Sequence, residues 1–429
     1  MCVRVYSPLR RRNTISLLSP PPSFTPKHTF FFSYSALHRT VPQYSSPVNA
    51  EPLHRYTIGG YHPIILGSFL HSGRYKVLHK LGWGGYSTVW AARDEQERRY
   101  VAIKVCVSEK HGKERGHHRE IEILKSLGNT LHHVVRMLDH FDIKGPNGIH
   151  PCLVLEMLGP SVSDLVEERF ADGRLHGSTA KGIAKQALLG LNLLHCRKIA
   201  HGDFHIRNLA FTMPEFVSNI PEHKFINLLG KPDIGHVRSN DGRSLGPGMP
   251  EYIVRPASLH SRSRPLSNTI KIIDFGESFS QDDVPETLHT PLVVRAPDVV
   301  FKDRLDYRVD LWSVGCVLFE LFVGQPPFDS FLITPKILVE QMQEITGEAL
   351  PERWVPLWES MRGEDVNEDR GPSLQEWLEE MYFDGERRED LTRDDIVKLG
   401  RIIRKLLRFE PAARASVEEI INYPWFRDE

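Results

Sequence analysis

Apolar and polar positions first fall into a regular pattern from Arg74 onward. Tyr75, Val77 and Leu81 alternate as on a strand. That strand runs into Leu81-Gly82-Trp83-Gly84-Gly85-Tyr86-Ser87-Thr88-Val89-Trp90, a glycine-rich turn leading to a second strand. Val101-Ala102-Ile103-Lys104 reads as a third strand, ending on a lysine. The pattern then predicts a helix over about 112–127 and a strand over 151–157. An amphipathic helix is expected over 178–195, with short strands at 209–211 and 270–273. The apolar runs at 187–194 and 314–323 read as buried helices. Both are far shorter than the roughly 18 residues that cross a bilayer.

Composition changes the picture in two places. Residues 1–55 are rich in Ser, Pro and Arg and hold no acid before Glu51. Such a segment cannot bury a core. It is expected to be a disordered tail or an Arg- and Ser-rich organelle presequence, although its prolines oppose a long amphipathic helix. Residues 212–268 carry many Gly and Pro residues, such as Gly230, Pro232, Gly242 and Gly246, and read as an ordered or partly ordered loop excursion rather than a domain.

Charge and cysteine usage exclude several classes. The net charge of −1 divides into about +6 for residues 1–55 and about −7 for the rest. A mildly acidic body argues against nucleic-acid binding and suits a basic protein substrate. The five cysteines are scattered without a C-x-x-C pair, so neither a disulfide framework nor a zinc site is expected. His117-His118 and His132-His133 lack partners at ligand spacing.

The candidate chemistry centres on His201-Gly202-Asp203-Phe204-His205-Ile206-Arg207-Asn208. Asp203 can accept the proton of an attacking hydroxyl, and Asn208 can ligate a Mg²⁺ carrying ATP phosphates. A polar loop with an Asx turn is the plainer reading of these eight residues alone. Gly82, Gly84 and Gly85 let backbone N–H groups approach phosphates with no Cβ in the way, although an ordinary glycine hairpin has the same look. Lys104 can hold the α- and β-phosphates, or merely snorkel from its strand. Glu120 on the following helix is its natural partner, because Glu122 lies on the wrong face. Glu156-Met157-Leu158 can present backbone to an adenine, with Leu155 behind it. Asp164 is either a ribose partner or a helix cap. Ile270-Lys271-Ile272-Ile273-Asp274-Phe275-Gly276 offers Asp274 as the second Mg²⁺ ligand.

Downstream stand Arg295-Ala296-Pro297-Asp298, Asp310-Leu311-Trp312-Ser313-Val314-Gly315 and Pro411-Ala412-Ala413-Arg414. With the earlier motifs in this order over 74–429, the chain resembles a eukaryotic-type serine/threonine protein kinase. Within that class it is most similar to the SR-protein kinases, particularly the fungal ones. Gly59-Gly60-Tyr61-His62-Pro63, Leu81 to Trp90 and Glu156-Met157-Leu158-Gly159 carry that likeness.

The resemblance implies an α+β, two-lobed fold. A leader over 1–55 precedes a β-rich N-lobe over 56–158 and a helical C-lobe over 159–429. It implies ATP and Mg²⁺, with Leu81, Gly82, Trp83, Gly84, Gly85, Tyr86, Ser87, Val89, Ala102, Lys104, Glu156 and Leu158 around the nucleotide. Asn208 and Asp274 would hold the metal, Arg414 would pair with Asp298, and Thr290 would line the substrate site near Asp203. The expected substrates are Arg/Ser-rich proteins, handled by a monomer in cytoplasm and nucleus. Mitochondrial targeting by residues 1–50 is the alternative location.

Two residues depart from the family pattern. Gly202 stands where an arginine is usual, and His205 replaces a lysine. H-G-D-x-H-x-x-N also resembles the loop of aminoglycoside and choline kinases. A small-molecule kinase and a catalytically silent scaffold are therefore the alternatives. The dipeptides Arg238-Ser239 and Arg243-Ser244 and the run Ser261-Arg262-Ser263-Arg264 are candidate self-phosphorylation sites, or a solvated basic loop.

Overall fold

The computed structural model describes residues 43–108, 116–128, 132–170, 173–257, 267–328, 333–362 and 371–427. The expected leader before residue 43, residues 112–115 of the expected helix, and Ser261 and Ser263 lie outside the described residues.

The small lobe is one antiparallel sheet. Its long strands are β1 (Tyr75–Gly84), β2 (Ser87–Asp94), β3 (Arg99–Cys106), β4 (Met137–Gly145) and β5 (Gly148–Glu156). In space they run β1-β2-β3-β5-β4, with the two-residue strand Phe69–Leu70 outside β1. Strand side chains alternate between faces. Val101, Ile103 and Val105 join Tyr75, Val77, Trp90 and Val154 in one buried cluster. Ala102, Lys104 and Cys106 therefore share the opposite face. Helix α1 (Gly116–Leu127) covers that face with Ile121, Leu124 and Leu127, and lies against the large core that also contains Cys106.

The large lobe is built around two buried helices, α3 (Gly177–His195) and α5 (Val309–Val323). A short helix, α2 (Val162–Arg169), precedes them. Every residue of α5 is buried except Glu320, which is partly buried, as befits a helix apolar on nearly all sides. Three short strands lie beneath the cleft: β6 (Leu158–Ser161), β7 (Leu209–Thr212) and β10 (Ile270–Ile272), antiparallel in the order β10-β7-β6. The lobes are joined by main chain. Val135 N donates to Ile272 O, and Ile272 N to His133 O, each at 2.9 Å.

Two segments differ from expectation. Residues 43–55, grouped by composition with the leader, are packed. Val48 and Glu51 are buried, and Glu51 makes an ion pair with fully buried Lys80 and a hydrogen bond with Tyr56. The insert, read as a loop excursion, contains a helix, α4 (Glu222–Leu229), and a hairpin of β8 (Ile234–His236) with β9 (Tyr252–Val254). It packs on the small lobe although it follows the catalytic loop in sequence. The Phe225 ring stacks on Tyr100, Glu222 pairs with Lys76 at 2.9 Å, and Ala257 N donates to Lys80 O. Local composition records only glycine and proline density. The apolar partners of this insert lie more than a hundred residues earlier.

Candidate active site

The cleft between the lobes is built from both sides. On the small-lobe wall, Lys104 is carried into the cleft by the alternation of β3. Its Nζ lies 2.7 and 2.8 Å from the two Glu120 oxygens and 2.9 Å from Asp274 Oδ1. Glu120 is buried on α1, whereas Glu122 faces solvent and pairs with Lys125. Burial alone would push the Lys104 ammonium down. The Asp274 and Glu120 carboxylates outweigh it and hold the ammonium above its ordinary value. Burial likewise opposes ionisation of Asp274, and Lys104 reverses that, keeping it below the usual carboxylate range. Asp274 sits at φ +63°, a left-handed turn that aims its carboxylate back at Lys104. Gly276 makes room, since a Cβ there would stand 3.3 Å from Asp274 Oδ1 and 3.5 Å from Lys104 Nζ.

The large-lobe wall is the catalytic loop, held by its backbone. Asp310 at the start of α5 accepts from His201 N at 2.7 Å, from Gly202 N at 2.9 Å and from the His195 ring at 2.9 Å. His201 Nε2 donates to Ile273 O, and its Nδ1 accepts from Asp203 N. The ring thus ties Asp203 to the strand that delivers Asp274. Asn208 Nδ2 donates to Asp203 O at 2.8 Å and to Asp203 Oδ2 at 3.1 Å. Asp203 Oδ1 is buried without a hydrogen bond, 3.4 Å from His205 Nε2. His205 Nε2 also lies 3.3 Å from Asn208 Nδ2. Asp203, His205 and Asn208 are therefore one cluster.

Gly202 adopts φ +77°, and a Cβ there would come within 2.4 Å of Glu277 O. Thr290 Oγ1 donates to Gly202 O at 2.7 Å, which fastens the chain near Asp203. Arg414 and Asp298 form a buried ion pair elsewhere in the large lobe, and Arg414 also donates to Arg308 O.

The β1–β2 hairpin carries the residues expected around a nucleotide. Leu81, Gly82, Trp83 and Gly84 end β1, Gly85 and Tyr86 form the turn, and Ser87 and Val89 begin β2. A Cβ at Gly82 or Gly85 would meet nothing within 4 Å, so these glycines border open space. Ala102 stands opposite Leu155 across the β3–β5 ladder. The Glu156 carboxylate is engaged by Arg136 N and Lys271 Nζ, and its own N–H donates to Arg136 O, so its side chain is not free for a ligand. Leu158 begins β6 next to it. Asp164 belongs to a capping box with Ser161 at the start of α2, so its role there is the helix cap.

Sequence reasoning missed the groups that hold the hairpin. Tyr61 OH donates to Gly84 O at 2.7 Å, and the Arg55 guanidinium donates to Gly85 O. The Arg55 cation also lies 5.2 Å from the Tyr61 ring centroid. No local signal pairs these residues with a turn more than twenty positions on. The clamp of Asp310 on His201 and Gly202 spans more than a hundred residues and likewise has no local signal.

Transferring a phosphoryl group from ATP needs a cation for the phosphates, oxygen ligands for a metal and an acceptor for the hydroxyl proton, at a seam between two bodies. The cleft meets that requirement, and its class is that of the protein kinases. Residues 75–218 and 260–426 match the protein kinase domain, and the chain belongs to that family. The match breaks within the insert that packs on the small lobe. Over 401 residues the chain is 27% identical to the serine/threonine-protein kinase SRPK of Physarum polycephalum, covering 87% of this chain and 90% of the relative. It is 26% identical to protein kinase dsk1 of Schizosaccharomyces pombe, covering 89% and 85%. A stretch of 161 residues is 39% identical to human SRSF protein kinase 3, covering 36% of this chain and 28% of the relative. The chain is an ATP-dependent serine/threonine protein kinase.

Proposed function

We propose that the enzyme transfers the ATP γ-phosphate to serines in Arg/Ser-rich protein segments. The observation that supports it most is the assembled Lys104–Glu120–Asp274 triad facing the Asp203–His205–Asn208 cluster. The relatives named SRPK and SRSF protein kinase supply the substrate class. Lys104, held by Glu120, orients the phosphates. The residues fit Mg²⁺. Asn208 Oδ1 and Asp274 Oδ2 accept no hydrogen bond among the described residues, and hard oxygen donors are what that ion takes. When bound, the metal neutralises charge on the phosphates. Asp203 Oδ1 accepts the proton of the serine hydroxyl. His205 donates through Nε2, contributing positive potential where a lysine usually does. Positioning and charge supply most of the rate.

Labelled ATP offered with an Arg-Ser repeat peptide, myelin basic protein and choline in parallel tests this reading. Transfer to the repeat peptide is expected. Label on choline alone would make it a small-molecule kinase, and no transfer to any acceptor would make it a scaffold. A preference for acidic or proline-directed peptides would remove the Arg/Ser assignment.

A further inference from the structure

Behind the Lys104–Glu120 pair lies a second set of donors. The Cys106 thiol, the His117 imidazole and the Glu120 carboxylate each place one ligand atom within 4.8 Å of the others, and all three residues are buried. We propose that these residues form a regulatory zinc site whose occupation takes Glu120 from Lys104 and switches the kinase off.

The geometry follows from two periodicities. Cys106 is two residues after Lys104 on β3 and so lies on the same face of the sheet. His117 is three residues before Glu120 on α1 and so shares its helix face. The strand and the helix thus bring a sulfur, a nitrogen and an oxygen donor to one point. Sequence spacing hid this, because the partners of His117 are eleven positions before it and three after it.

The donor set selects the ion. Thiolate, imidazole and carboxylate are the ligands of Zn²⁺, whereas Mg²⁺ prefers oxygen alone. The Mg²⁺ that accompanies ATP therefore does not compete for this site. Zn–S and Zn–N bonds of about 2.3 and 2.0 Å put ligands on a tetrahedral ion roughly 3.3–3.8 Å apart. Donors now within 4.8 Å of one another must therefore draw together by about 1 Å to hold the ion. A fourth position is left for water.

The charge count agrees, and since burial pushes the Cys106 thiol up, the ion must displace that proton. Lys104 with Glu120 and Asp274 leaves the cluster one negative charge in excess. Zinc binding releases the Cys106 proton to solvent, so a dication minus one proton brings the cluster to neutrality. Burial, together with the nearby Lys104 cation, keeps the imidazole neutral and its lone pair available.

Occupation has a functional consequence. Both Glu120 oxygens now lie within 2.8 Å of Lys104 Nζ. An oxygen turned to zinc is lost to that pair, which weakens the hold of α1 on Lys104 and leaves the ammonium drawn toward Asp274.

The test uses the full chain with Cys2→Ser and Cys196→Ser, which leaves only buried thiols. Titration with Co²⁺, a spectroscopic stand-in for zinc, should give a thiolate-to-cobalt charge-transfer band saturating at one ion per chain. Zinc should then displace the cobalt and lower the phosphorylation rate at saturating Mg-ATP by about a hundredfold or more. Removing zinc by dialysis and restoring Mg²⁺ should return the rate. Cys106→Val and His117→Leu should each abolish the band and the zinc sensitivity while keeping a near-normal basal rate. Absence of the band in the unsubstituted site overturns the proposal even if neither variant folds. So does a band that survives Cys106→Val, or zinc inhibition unchanged in both variants. The cobalt readout is independent of substrate, so failure here is distinct from failure of the Arg/Ser assignment.

Discussion

At the scale of single residues, the proposed chemistry rests on a few charges brought together in the cleft. Lys104→Met, Asp274→Ala and Asp203→Asn should each lower the transfer rate by at least about a hundredfold. Each variant should still unfold in one cooperative step, since the buried apolar clusters are untouched. Near-normal phosphorylation by Asp203→Asn would place the proton acceptor elsewhere. Gly202 is constrained differently. Its φ of +77° and the 2.4 Å approach of a Cβ to Glu277 O make any side chain costly. Gly202→Ala should lose about 1–3 kcal/mol of stability, read as a lower denaturant midpoint with an unchanged slope. A midpoint equal to wild type would mean that the loop relaxes without strain.

At the scale of elements, two features were invisible locally, one at the cleft and one in the large lobe. The glycine hairpin is held open over the cleft by Tyr61 and Arg55 through main-chain oxygens of Gly84 and Gly85. Tyr61→Phe with Arg55→Ala should raise KM for ATP several-fold while changing kcat much less, because ground-state positioning is lost rather than the chemical groups. An equal fall in kcat with unchanged KM would instead tie the extension to the chemical step. Helix α5 supplies the second case. Burial pushes the Glu320 carboxyl up to about 7, against the pull of His205 and Arg207. An unfolded Glu titrates near about 4.3, so the folded form holds the extra proton and this contribution to stability is full below that pH. It is lost as pH rises through about 7. Glu320→Gln, which stays neutral, should therefore flatten the decline of the unfolding midpoint between about pH 4.3 and 7. Parallel profiles for the two proteins would assign that decline to other groups.

At the scale of the whole molecule, the question is how the lobes are kept in register. Arg119 on α1 pairs with Asp283 at 2.7 Å, so an acid of the 277–295 segment already occupies a basic partner from the small lobe. The strand Phe279–Ser280 pairs with Ile199–Ala200 just before the catalytic loop. Ser278 is buried and donates to His201 O, so it is a structural hydroxyl rather than a site for a kinase. Phosphorylation of this segment should accordingly be dispensable. Phosphatase-treated enzyme and a Ser280→Ala, Thr287→Ala variant should keep rates within a few-fold of wild type. A loss beyond about tenfold, or 1.4 kcal/mol in the barrier, in both preparations would show a phosphate-dependent switch.

Wherever chemistry depends on residue type at short spacing, the sequence by itself determined this protein. Lys104 at the end of its strand, Asp203 with Asn208 five positions on, and Asp274 before Phe-Gly were all legible. A strand, a turn and a loop each present their side chains by local geometry alone. Tertiary structure decided whatever joins distant segments. Glu51 meets Lys80, Tyr61 meets Gly84, Asp310 meets His201, and Cys106 meets His117. The insert's place on the small lobe is of the same kind. Periodicity tells which face of an element is apolar but not which other face it meets. Burial on both sides of the contact selects that partner, and for the ion pairs so does the cost of leaving a buried charge alone.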